Sequence, residues 1–170
     1  QSQIAEKPES VLSNVMSNKS QFGTLAQQRS KFQKEIDSNP ELKKTLAALA
    51  ISEEGQKSSS SQTGVVETMM NRAAAQGKSL SEIVKRHAEP GKNYDAPYFD
   101  GAFDKNMALL NKSPELYNKV SKSIDAALAG SNYSNFGTDN SSAHVAESAK
   151  RSQSITGRSE AGETYSRKDR

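Results

Sequence analysis

The segment Gly64–Ala75 constrains this chain most. Val65, Val66, Met69, Met70 and Ala73 recur at i, i+1, i+4, i+5 and i+8, an apolar face wide enough to predict the central helix of a domain. Few other stretches compete with it, because only 33% of the 170 residues are hydrophobic and mean hydropathy is −0.81. One domain is the expectation at this length, with a modest core and much solvated sequence at the two ends.

Helix signals dominate the rest. Pro8 begins a predicted short helix carrying Val11, Leu12 and Val15, and Leu25, Phe32 and Ile36 fall on one face of a second. Residues 1–38 are therefore read as an N-terminal helical appendage to a main domain over 39–170. Asn39 and Pro40 form an N-cap and first-turn pair for a helix with Leu42, Leu46, Leu49 and Ala50, which Gly55 ends. The serine-rich stretch from Gln56 to Thr63 reads as an exposed loop or short polar hairpin, suited to the wall of a cleft.

Ser79 and Glu82 make a capping box for a short helix bearing Leu80, Ile83 and Val84. From His87 to Phe103 the chain is rich in turns and aromatics, with Tyr94, Tyr98 and Phe99, and reads as a loop. Ser113 and Pro114 then cap a helix with Leu116, Tyr117, Val120, Ile124, Ala127 and Leu128, closed by Gly130. After Gly130 the Ser, Asn, Gly, Thr and charged residues taken alone predict loop or disorder. The fold class expected is mainly α.

Composition narrows the chemistry. Without Cys there is no disulfide, thiol catalysis or cysteine metal site, and His87 and His144 are too few for zinc, so no metal or cofactor is expected. No apolar run approaches the roughly 18 residues of a membrane span. A chain that starts at Gln1 reads as a processed or excised piece, with any targeting segment already removed. The +3 charge is dispersed, which argues against a nucleic-acid partner and suits an anionic polymer such as a cell-wall glycan.

Glu53 and Glu54 stand at the C-terminal end of an apolar helix, where the negative end of the helix dipole and each other's charge disfavour ionisation. A raised carboxyl pKa is what a glycosidase general acid needs. Two solvated surface carboxylates would give the same sequence.

The string from Ala50 to Arg72, with Glu53, Gln62, Val65, Val66, Met69, Met70, Asn71 and Arg72, resembles the cell-wall hydrolases of the spore-cortex-lytic type. Those proteins show a helix ending in a catalytic Glu, a polar turn, a Gln, an apolar helix and an Asn-Arg pair. Looser similarity runs through Ser81–Val84, Tyr98–Phe103, Pro114–Gly130, Thr138–His144, where Ser replaces the family's Gly, and Gly162–Tyr165, where Thr164 stands for its His.

The resemblance implies a lysozyme-like helical domain with a central buried helix and a small polar hairpin or loop lobe. It also implies cleavage between N-acetylmuramic acid and N-acetylglucosamine, commonly by lytic transglycosylation, with Glu53 as the catalytic acid. Gln62, Tyr94, Tyr98, Phe103 and His144 are the substrate-contact candidates, each with a structural alternative, and Asn71 and Arg72 read as structural. Hydrolysis by a muramidase would need a second carboxylate at roughly 5–9.5 Å, with Asp95, Asp100 and Asp104 as candidates. The partner implied is the peptidoglycan glycan strand. The protein is expected outside the cytoplasm, as a monomer or within a larger secretion or virion assembly. The non-enzyme reading is a glycan-binding or structural protein of such an assembly.

Overall fold

The structure, a computed structural model, describes residues 25–56, 58–88, 102–141, 154–159 and 164–167. It is mainly helical. The predicted helix at Pro8, Tyr94, Tyr98 and His144, and Asp95 and Asp100 lie outside the described residues.

Helix α1 (Leu25–Ser38) turns Leu25, Phe32 and Ile36 inward as their spacing requires, and Phe32 and Ile36 join the same core as the helices that follow. Helix α2 (Pro40–Glu54) starts on Pro40, whose fixed φ suits a first turn. The Asn39 side chain makes no capping bond. The junction is held by backbone instead, with Asn39 N–H donating to Ile36 and Leu42 N–H to Asn39, both at 3.0 Å. From Leu46 to Ile51 α2 is buried on every side.

Helix α3 (Ser59–Gln76) is the buried central helix, with residues 61–71 all inaccessible. It begins earlier than its apolar residues suggest. The serine run is not the expected exposed loop: Ser58 is an N-cap that accepts from the Ser61 amide at 3.2 Å, and Ser59–Ser61 form the first turn. Serines that compete with a helix interior favour its start, which the run's position between Gly55 and Val65 allows.

Helix α4 (Leu80–Ala88) carries the predicted box, with Glu82 N–H donating to Ser79 Oγ at 3.0 Å and Ser79 N–H to Glu82 Oε1 at 3.1 Å. Glu35 of α1 accepts from the Leu80 and Ser81 amides at 2.9 and 2.7 Å, so the same helix start is also capped from a distance. Helix α5 (Ala102–Lys112) occupies ground where the sequence predicted a loop up to Phe103. Phe103, Met107 and Leu110, spaced four and three apart, lay one face on the core. Helix α6 (Pro114–Leu128) opens on Ser113, whose hydroxyl accepts from Leu116 N–H at 3.2 Å, and buries Val120, Ile124 and Ala127.

The expectation of loop or disorder after Gly130 is overturned. Strands β1 (Asp139–Ser141), β2 (Ser154–Arg158) and β3 (Thr164–Arg167) form an antiparallel sheet in the order β1-β3-β2, with β3 central and an irregularity between Ile155 and Gly157. These strands lack apolar alternation because they are fixed through polar groups and one aromatic. Tyr165, 1% exposed, lies against Gly64 of α3 so closely that a Cβ there would sit 1.9 Å from the tyrosine oxygen. Gly64 is the residue that lets sheet and central helix meet.

Gly64→Ala should therefore cost about 1–3 kcal/mol through overpacking. Combined with Tyr165→Ala it should cost less than the sum of the two single changes, as read from urea denaturation. An unchanged midpoint for Gly64→Ala would show that the ring yields freely.

Candidate functional site

The carboxylates singled out by the sequence sit where α2 stops. Gly55 leaves the helix at φ 70°, its N–H still donating to Ile51 at 2.7 Å. Glu53 is half-buried. Glu54 is the more enclosed, 7% exposed, and accepts from the Ser159 hydroxyl at 3.4 Å, just past β2. The end of α2 is thus the place where the helical body meets the sheet.

Gln62 shapes this turn. Its amide nitrogen donates to the Gly55 carbonyl at 2.7 Å, and its amide oxygen accepts from Ser123 of α6 at 2.9 Å. At 3% exposure, with both ends of the amide engaged, it fixes the chain after Glu54. Asn71 and Arg72 secure the other side. Asn71 donates to the Gly137 carbonyl at 2.7 Å, while Arg72 reaches the Thr138 carbonyl at 2.9 Å and the Asp139 carboxylate at 2.6 Å. Phe103 lies in the first turn of α5, partly buried against the core, and Asp104 beside it is exposed.

One group had no place in the sequence reading. Glu67, in the middle of α3, is 0% exposed and accepts from the Ser131 hydroxyl at 2.5 Å, Tyr133 N–H at 2.9 Å and Ser134 N–H at 2.7 Å. Burial pushes its carboxyl above the usual range, while the charge of Arg29 and the bonds from Ser131 and Ser134 pull it back.

Arg29, 1% exposed on α1, donates to the carbonyls of Ala127 and Ser131 at the end of α6 and to Gln28. Burial lowers its pKa to about 10 against the opposing pull of Glu67, so it is charged at neutral pH. Ser131 bridges the two, its carbonyl on Arg29 and its hydroxyl on Glu67. A signal was present: Arg29 occupies the i+4 slot between Leu25 and Phe32 on the apolar face of α1, and Glu67 interrupts Val65, Val66, Met69 and Met70.

Glu67 has no access to solvent, so it holds the loop after α6 and does not meet a substrate. That loop is bent hard, with Asn135 and Phe136 at φ 50° and 63°. Phe136 is kept there by its N–H bond to Asn132 Oδ1 at 2.8 Å. Among the described residues no cluster of three or more His, Asp or Glu side chains could hold a metal ion, and no helix is long and apolar enough to cross a membrane. Comparison with protein-family models, curated proteins and solved structures finds no match to this chain.

Glu67→Gln should cost about 1–3 kcal/mol, because an amide nitrogen in place of one carboxyl oxygen cannot accept the bonds that Ser131, Tyr133 and Ser134 give to Glu67. A raised folded-state pKa means that Glu67's proton-linked contribution is full below the unfolded value of about 4.3. That contribution is lost as pH rises through the folded value. Denaturation across pH should therefore show the wild-type advantage over Glu67→Gln narrowing from acid towards neutral pH; a constant gap would contradict the assignment.

Proposed function

We propose that this protein cleaves peptidoglycan glycan strands between N-acetylmuramic acid and N-acetylglucosamine, with Glu53 as the catalytic acid of a lysozyme-like domain. The observation that carries this reading is the end of α2: a half-buried carboxylate beside a buried one, on a turn locked by Gln62, at the junction of helices and sheet. A general acid needs this combination of partial desolvation, a neighbouring negative charge and a rigid mount.

In the reaction proposed, the Glu53 carboxyl gives its proton to the glycosidic oxygen as the bond to the muramic C1 breaks. The resulting carboxylate then takes the proton of the muramic 6-hydroxyl, whose oxygen bonds to C1 and closes an anhydro ring. The sugar supplies the nucleophile, so no second carboxylate is required. Hydrolysis of the same bond needs one, and among the aspartates named for that role Asp104 is exposed on α5. A peptidoglycan substrate puts the site of action outside the cytoplasm, for a monomer or a component of a secretion or virion assembly.

A second reading has its own observation. Gln62, Asn71 and Arg72, which carry much of the resemblance, are engaged in holding the fold, so the shared pattern would also persist in a glycan-binding protein that does not cut.

Muropeptide analysis of digested sacculi separates these. Glu53→Gln should lower the release of anhydro-muramic ends by roughly 10²-fold or more with an unchanged melting temperature. Glu54→Gln should cost less. Equal release by Glu53→Gln overturns the catalytic assignment, and reducing ends in place of anhydro ends identify hydrolysis.

A further inference from the structure

A cleft of about 500 Å³ opens between the start of α3 and the exposed side of α6, within the size range of small-ligand sites. Its lining is chemically narrow. Ser58, Ser59, Ser60 and Thr63 come from α3 and its cap, Ser123 and Ala126 from α6 and Tyr133 from the loop beyond, and among the described residues no carboxylate lines it. Lys119 and Lys122 complete the wall.

These two lysines stand three apart on α6, a spacing that places them side by side on one face of the helix. Neither forms an ion pair among the described residues, whereas Lys43 is paired with Asp125 of the same helix at 2.6 Å. Both Lys119 and Lys122 are exposed. Two cations on one wall favour an anion lying in the cleft.

The cleft is also built rather than incidental. Thr63 and Ser123, 2% and 3% exposed, are joined by the Thr63 hydroxyl to the Ser123 carbonyl at 2.9 Å. Tyr133 is fixed by its N–H bond to Glu67. The buried Thr63 and Ser123 hydroxyls are spent on the Ser123 carbonyl and on Gln62, whereas Ser59, Ser60 and Tyr133 reach the surface of the cleft and match the donors and acceptors of a polyol, and the lysines match a negative group attached to it.

We infer that this cleft binds a carboxylate-bearing stretch of the glycan strand, Lys119 and Lys122 taking the carboxylate and the Ser59, Ser60 and Tyr133 hydroxyls the sugar. The inference rests on the proposed substrate for the identity of the polymer, but not on cleavage. Phosphate-bearing wall polymers offer the same charge on a polyol chain, so the test separates the two sources.

Binding is measured by co-sedimentation with sacculi, untreated or freed of phosphodiester polymers by hydrofluoric acid, and with neutral chitin, all in the Glu53→Gln background. The Lys119→Gln/Lys122→Gln variant should bind acid-treated sacculi about tenfold more weakly at low salt, and its remaining binding should depend less on salt. Lys119→Arg/Lys122→Arg should restore binding, and chitin binding should be the same for all three proteins. Equal binding of the Gln variant to sacculi overturns the inference, and loss of all binding after acid treatment overturns the carboxylate in favour of phosphate. If wild-type protein releases no muropeptides while the lysine dependence holds, the cleavage reading falls and the binding site stands.

Discussion

A carboxylate sealed inside the central helix is the constraint on which the rest of this structure depends. Glu67 is fully buried, and a carboxyl group is tolerated there only when donors and a neighbouring cation surround it. Its three donors come from Ser131, Tyr133 and Ser134, and its counter-charge from Arg29 on the first described helix. Three distant parts of the chain must therefore be in place together. Replacing such a pair with apolar side chains is often neutral for stability, but apolar groups would not dictate where the loop after α6 runs.

What that loop leads to is the sheet. Residues 131–138 carry the chain from α6 past Glu67 and deliver β1 to Arg72 and Asn71 of the same central helix. Tyr165 of β3 then sits on Gly64, and Ser159 reaches Glu54. Central helix and sheet are thus joined along α3 from Gly64 to Arg72, a length of helix buried all round up to Asn71. The proposed acid, on the end of α2, takes its surroundings from this junction and from the Gln62 bridge.

The helices were legible because their signals are local. Capping at Ser79 with Glu82, the Ser113–Pro114 start and the apolar spacing of α1, α2, α3 and α6 each need only a few neighbouring residues. The sheet was not legible, because its strands are short, polar and stabilised by partners on a helix more than 60 residues earlier, such as Asn71 on Gly137. The serine run failed for a related reason: composition reads it as loop, but its place just ahead of an apolar helix makes it a cap and first turn. At the candidate site, Glu53 and Gln62 were visible by position, whereas Gln62's engagement with Gly55 and Ser123 required the fold. Glu67 and Arg29 were visible only as polar residues in apolar positions.

Glu67 anchors the loop between helices and sheet as firmly as the core itself. Native-state hydrogen exchange of the Tyr133 and Ser134 amides tests it most directly, with Met70 of α3 as the internal reference. The two loop amides should exchange only through global unfolding, with the same free energy as Met70. Exchange at the rate of an open loop while Met70 stays protected would contradict it.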